Sequence, residues 1–266
     1  MLQGVLMFEP FMINAWITAS IVAVVSGLVG FFIALRGQAF IAHALPNGAF
    51  AGAAAAGLIN INPLFGLGFF SLLGAGTIGL LERRSKRDVA TALGFVLLLG
   101  MGALFLSLST EYSQQIFSLL FGEILGVSSS QILPTAALAG ITLGVLILSY
   151  RRLLYTSVLG EELSPKTLFR NQNLIFLLIV ALVTTMAIPV VGTLLIFTLL
   201  VSPAATARLI TKTPKTAIAA SVILALLMVY SSIALSYASN WPVGFFIGVM
   251  GVASYTVGQL WRKLFA

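Results

Sequence analysis

The chain of 266 residues is 59% hydrophobic and 8% charged, with a formal net charge of +7 and no cysteine. A water-soluble domain of this length cannot cover its surface with so few charges, so composition predicts an all-α protein that crosses a membrane several times. The lack of cysteine excludes disulfides and thiolate metal ligands. No polar stretch is long enough for a soluble domain, so residues 1–266 are expected to form a single transmembrane domain.

Nine apolar segments follow one another along the chain and are predicted to be membrane-spanning or re-entrant helices. They cover residues 11–35, 40–58, 64–81, 89–108 and 132–150, two segments within 174–210, then 217–237 and 243–261. The run 174–210 is too long for one helix, and Pro189 followed by Gly192 predicts a break in it. A shorter apolar stretch, 116–127, contains Glu123 and is expected to lie at the surface or to re-enter the membrane. The polar stretch 151–173 is predicted to be the longest loop.

The basic residues support nine crossings. They fall at Arg36 and within 83–87, 151–170, 208–215 and 262–263, and nine crossings place all five groups on one side of the membrane. Joining the two segments of 174–210 into one crossing would break this pattern at Arg208. The positive-inside rule assigns the basic side to the cytoplasm, which predicts an external N-terminus and a cytoplasmic C-terminus.

The second segment contains the only histidine of the sequence, His43, with Asn47 four residues later. This spacing places both polar side chains on one face of a helix. Pro46 lies between them and small residues surround them, which favours an interior helix because small residues let helices approach closely in lipid. Counted along a helix from Arg36, His43 is expected about 10 Å into the membrane. A hydrogen-bonded packing role for either side chain remains open.

Three stretches carry a resemblance to a known family. Residues 191–209, VGTLLIFTLLVSPAATARL, are similar to a VG-x-LL segment that leads to PAATAR in the permease subunits of ABC-3 metal importers. Residues 119–128, LLFGEILGVS, resemble the LFG-x-IL-x-VS segment of the same family. Residues 36–52 resemble its R-x-x-S-F-x-G-D-A-L-S-H-A-x-x-P-G helix, and the order of the three stretches also agrees.

The resemblance implies the permease fold of a binding-protein-dependent importer of zinc, manganese or iron in the cytoplasmic membrane of a prokaryote. It also implies two copies of this chain, two copies of a separate ATPase and an external binding protein that delivers the cargo. No P-loop motif is present, so ATP hydrolysis is expected in the separate subunit and no cofactor is expected here. The polar stretch, about 151–172, is the expected coupling loop to the ATPase, with Gly160, Glu161, Glu162, Leu163 and Ser164 as its contact residues.

The third stretch departs from the family pattern at the residues expected to meet the cargo. His43 stands where the family has aspartate, Asn47 where it has histidine, and Ala51 where it has proline. One imidazole and one neutral amide replace a carboxylate and an imidazole, which is a weaker ligand set for a divalent metal. A metal chelate is therefore an alternative cargo. An ATP-independent carrier or channel for a small solute or ion is the alternative function.

Overall fold

The computed structural model describes residues 10–82, 87–108 and 119–265, and in these ranges it is all-helical, without a β-strand. Its α-helices are α1 (Pro10–Arg36), α2 (Ala39–Leu58), α3 (Pro63–Leu81), α4 (Arg87–Ser107), α5 (Ser129–Leu163), α6 (Lys166–Val191), α7 (Thr193–Ile210), α8 (Pro214–Ser239) and α9 (Val243–Phe265). A short 3-10 helix, Ile124–Gly126, precedes α5. The predicted fold class and the predicted order of helices are confirmed.

Eight of these helices are long and apolar enough to cross a membrane, which makes the chain a multi-pass membrane protein. The remaining helix, α2, has 20 residues and a length of about 30 Å, which also matches a bilayer core. It falls short in apolarity because it carries His43, Pro46 and Asn47. The exception is therefore the helix that holds the candidate site.

Helix α2 lies inside the bundle, packed against α3, α4, α6 and α7. Twelve of its residues are buried, most of them alanine or glycine. The tightest approach is to α3, where a Cβ added to Gly52 would lie 2.0 Å from the carbonyl oxygen of Gly66. Backbone contact of this kind is how helices associate in lipid, where packing rather than water exclusion drives association. The prediction of an interior helix is confirmed.

The break within 174–210 lies at Gly192, which separates α6 from α7 with a φ of 84°. Its backbone packs directly against Gly122, which also has a positive φ of 73°. A Cβ on either glycine would lie within 2.6 Å of the other segment's backbone, so both positions require glycine. Two of the three family-like stretches are thus packed against each other. Residues 116–118 lie outside the described residues, and 119–127 form no crossing helix.

The prediction of a loop over 151–173 is wrong. Helix α5 continues to Leu163 and α6 begins at Lys166, so only Ser164 and Pro165 separate them. A kink occurs at Gly160, with φ 72° and ψ −171°. The polar residues of this stretch lie in helix because α5 runs about 46 Å from Ser129 to the kink at Gly160, which exceeds the roughly 30 Å thickness of a bilayer core. Polar residues in this stretch indicate contact with water, and a helix in water carries polar residues just as a loop does.

The described basic residues gather at one end of the bundle, called here the basic end. Contacts between helix termini establish it: Arg208 of α7 donates to the Ala34 carbonyl of α1, and Arg36 of α1 contacts Thr156 of α5. The residues at this end are Arg36, Arg151, Arg152, Lys166, Arg170, Arg208, Lys212, Lys215, Arg262 and Lys263. Segregation of the described positive charges to one end is therefore confirmed.

We expect Gly52→Ala to destabilise the protein and Gly57→Ala, on the same helix, to leave it unchanged or slightly more stable. The Gly52 methyl would meet the α3 backbone, and overpacking costs about 1–3 kcal/mol or more. No atom lies within 4 Å of a Cβ at Gly57, where alanine only improves helix propensity. Thermal unfolding midpoints of both variants in detergent measure the difference. Equal midpoints would contradict the close α2–α3 contact.

Candidate functional site

His43 and Asn47 lie one turn apart on the same face of α2, as the spacing predicts. The Asn47 side-chain nitrogen donates to the His43 backbone carbonyl at 2.8 Å and lies 3.5 Å from His43 Nδ1. Both residues are half-buried. Gly37, with a φ of 66°, turns the chain between α1 and α2, so the helix that carries His43 begins at Ala39 and not at Arg36. His43 lies about 6 Å along α2 from that first residue, and its depth in the membrane stays a prediction.

Three phenylalanine rings surround the His43 imidazole. The ring centroid of Phe197 on α7 lies 5.6 Å away in an edge-to-face arrangement, Phe95 on α4 lies 6.0 Å away and Phe40 on α2 lies 6.4 Å away. Three helices therefore position one imidazole in an apolar surrounding. Aromatic side chains exclude water, which strengthens any electrostatic contact made by the histidine.

The amide of Asn47 orients the polar atoms of the pair. The Asn47 side-chain nitrogen lies 3.5 Å from Nδ1 of the imidazole, and its shorter hydrogen bond, at 2.8 Å, goes to the His43 carbonyl oxygen. The Asn47 Oδ1 atom has no hydrogen-bond partner among the described residues. One chain therefore offers an amide oxygen and an imidazole side by side. Oxygen ligands suit manganese, and imidazole suits zinc and iron.

The pair alone is not a complete metal site. Within residues 10–82, 87–108 and 119–265, no three His, Cys, Asp or Glu side chains are grouped so that they could hold a metal ion. Glu123 is exposed beside the 3-10 helix at the opposite end from the basic end, and Glu82 bonds to Asn173. Any ion that meets His43 must bring its remaining ligands as water, as a chelator or from another chain.

Arg36 forms a polar centre at the basic end that the sequence indicated only as a charge. Its Nε atom donates to Ser157 Oγ at 2.8 Å, and its two terminal nitrogens donate to Asn173 Oδ1 at 3.0 Å and to Thr156 Oγ1 at 3.1 Å. The guanidinium carbon lies 4.7 Å from the ring centroid of Phe176. One side chain on α1 therefore holds both α5 and α6 through contacts that require the planar fork of arginine.

The same centre reaches α3. The Asn173 side-chain nitrogen donates to Glu82, the residue that caps the end of α3. Four helices, α1, α3, α5 and α6, are thus joined by one chain of polar contacts beneath the start of α2. The available signal in the sequence was a lone arginine at the end of an apolar segment, three residues before the start of the helix that carries His43.

The residues predicted to contact the ATPase lie at the end of α5, apart from the His43 pair. Glu162 and Leu163 are exposed, Ser164 is buried at the junction with α6, and Gly160 forms the kink. The side chain of Glu161 lies outside the described residues. Thr156 and Ser157 connect this part of α5 to Arg36, about one turn before the kink.

Comparison with known proteins assigns the family. The model of the ABC 3 transport family matches residues 8–261, which is nearly the whole chain. The chain belongs to the ABC 3 transport family. The resemblance of the three sequence stretches is therefore confirmed, and the chain is a membrane component of a transport system.

Relatives of this ABC 3 family chain include metal permeases. It is 34% identical to the manganese import system permease protein ScaB of Streptococcus gordonii, over 92% of this chain and 94% of the relative. It is 25% identical to the high-affinity zinc uptake system membrane protein ZnuB of Haemophilus influenzae, over 86% and 89%. Among solved structures, PsaBC of Streptococcus pneumoniae in complex with a Fab matches with a TM-score of 0.80 and 27% identity, covering 95% of this chain and 92% of that one.

We expect Arg36→Lys to destabilise the basic end, whereas Arg262→Lys, an exposed substitution at the same end, is neutral. Lysine keeps the charge but cannot reach Ser157, Thr156 and Asn173 together, and losing hydrogen bonds to a charged group costs about 1.5–3 kcal/mol. Protease sensitivity at the α5–α6 junction and the thermal midpoint measure the effect. Equal thermal midpoints and equal protease sensitivity of the two variants would show that a positive charge at position 36 is enough to stabilise the basic end.

Proposed function

We propose that the chain is the membrane-spanning subunit of a binding-protein-dependent ABC importer that carries a divalent metal, manganese first, with zinc, iron or a metal chelate as alternatives. Family membership supports the transporter class, and ScaB supports manganese. The observation within the chain that carries the proposal is the half-buried amide–imidazole pair on the interior helix α2. Its partners are a second copy of the chain, two copies of a separate ATPase and an external binding protein.

The two copies complete the path. A cargo site needs more ligands than His43 and Asn47 of one chain, and a second copy related by a two-fold axis supplies an equal pair. Two imidazoles and two amide oxygens hold a borderline cation weakly, as transport requires, because a site must release what it binds. Neither His43 nor Asn47 is a carboxylate, so the pair adds no fixed negative charge and binds a divalent ion weakly, and a metal chelate of low net charge is the alternative cargo.

We expect His43→Ala to reduce manganese uptake at least tenfold and His43→Phe to reduce it equally. Phenylalanine keeps an aromatic ring among Phe40, Phe95 and Phe197 but removes the ligand, so this variant separates cargo contact from packing. Asn47→His should increase retention of manganese or zinc, because it adds a second imidazole. Uptake is normalised to the amount of assembled complex. Normal uptake by the His43→Phe variant would assign His43 to packing.

The basic end is proposed to face the cytoplasm, which places the N-terminus outside and the C-terminus inside. Two single cysteines at the ends of α8 test this orientation, since the chain has no native cysteine. Lys212 and Ser239 are both exposed and lie at opposite ends of that helix. An impermeant thiol reagent applied to whole cells should label Ser239→Cys and leave Lys212→Cys unlabelled. The reverse pattern would contradict the orientation.

The segment 151–172 is proposed to couple the permease to the ATPase. Its support is geometric: α5 continues about 14 Å past Tyr150 to the kink at Gly160 and then exposes Glu162 and Leu163 before the turn at Ser164. Movement of this segment reaches the start of α2 through Arg36. The two permease copies then rock so that the path opens to one side at a time.

We expect the double variant Glu161→Lys, Glu162→Lys to abolish transport while the permease stays folded, because reversed charge repels a basic ATPase groove. The matched double variant Glu161→Asp, Glu162→Asp retains the charges and should transport at the normal rate. ATP hydrolysis and manganese uptake are measured on the same reconstituted complex. Normal manganese uptake by the lysine variant, with the ATPase still bound, would show that Glu161 and Glu162 are not needed for coupling.

A further inference from the structure

A groove of about 650 Å³ opens near the basic end of the bundle, between α5 and α8. Leu28 of α1 forms its floor, with Leu143 and Ile147 of α5 on one side and Ile218 of α8 on the other. Ile147 is 71% exposed and sits in a helix that crosses the membrane. The groove is thus apolar along most of its length, of a size typical of ligand sites, and open to whatever surrounds the bundle.

Two arginines close the groove at the basic end. Arg151 and Arg152 both line it and both are exposed, and neither guanidinium group has an acidic or hydrogen-bonding partner within the described ranges. Arg36 and Arg208, at the same end, are each bonded to other helices. The exposed Lys215 lies one turn before Ile218 and adds a third positive charge. The groove therefore combines an apolar body with an unneutralised cationic end.

The arginines lie at the depth where lipid headgroups lie. From Ser129 to Tyr150, α5 has 22 residues without a charge, a length of about 33 Å, close to the roughly 30 Å thickness of the hydrocarbon core. Arg151 and Arg152 follow immediately, so they emerge at the level of the phosphates. A soluble partner would meet α5 farther along, around Glu162 and Leu163.

We propose that this groove is a binding site for an anionic phospholipid. One acyl chain lies against Leu28, Leu143 and Ile147, and the phosphate is held by Arg151 and Arg152, whose guanidinium groups match phosphate oxygens in pairs. A zwitterionic lipid fits the apolar body equally well but offers no net charge to the cationic end. The bound lipid packs α5 against α1 and α8 just before α5 leaves the membrane. The site is independent of the identity of the cargo.

The test is lipid binding to the full-length permease in its purified complex, using phosphatidylglycerol and phosphatidylcholine separately in native mass spectrometry. Phosphatidylglycerol should bind more tightly than phosphatidylcholine. Removing two charges with Arg151→Gln, Arg152→Gln should weaken phosphatidylglycerol about 30-fold, given about 1 kcal/mol per basic residue at a membrane surface. The control Arg262→Gln, Lys263→Gln removes the same charge from the same end and should change affinity less than threefold, because these residues lie on α9, away from the groove.

Two further variants keep the result interpretable if the glutamine variant folds poorly. Arg151→Lys, Arg152→Lys keeps the charge and should retain phosphatidylglycerol, whereas Ile147→Trp fills the apolar body and should displace it with no change of charge. Equal affinity for the two lipids, or equal losses in the α5 and α9 double variants, would overturn the proposal. It would also be overturned if Ile147→Cys forms a disulfide between two permease copies and no phosphatidylglycerol is retained, since a second copy would then occupy the groove.

Discussion

The contacts of the Arg36 guanidinium hold together the part of the molecule on which its transport role depends. This side chain ends α1, binds α5 and α6 directly and reaches α3 through Asn173 and Glu82. A charge at the edge of a membrane is stable only when it is bonded or hydrated, and here the bonds connect separate helices. The turn at Gly37 then leads directly into α2. The helix with the candidate site therefore starts three residues after an arginine whose contacts join four helices.

Helix α2 combines close backbone packing with polar side chains, and the proposed cargo site requires both. Its glycines bring the backbones of α2 and α3 into contact, so the helix is held by packing even though it carries a proline and two polar side chains. His43 is enclosed by rings from α2, α4 and α7, and Asn47 bonds back to its own helix. A rigid helix with one weakly liganding face is the arrangement that the proposed cargo site requires, because the site must release what it binds.

Much of this architecture could be predicted from the sequence. Long apolar runs predicted the helices, the distribution of Lys and Arg predicted the shared end, and Gly192 predicted the break between α6 and α7. The full length of α5 could not be predicted, because the part of a helix that extends into water has a polar sequence like that of a loop. The hydrogen-bond partners of Arg36 could not be predicted either. They lie more than 100 residues away along the chain, and only the tertiary fold brings them next to Arg36. The i, i+4 spacing of His43 and Asn47 gave their shared face, while their depth depended on a turn at a single glycine.

Manganese accumulation in proteoliposomes that contain this permease, its ATPase and its binding protein tests the central claim most directly. The proposed importer accumulates manganese only when ATP and the metal-loaded binding protein are both present, on opposite sides of the membrane. A variant of the ATPase that cannot hydrolyse ATP is the control and should give no accumulation. Uptake that proceeds at the same rate without ATP, or without the binding protein, would identify a carrier or channel and contradict the account.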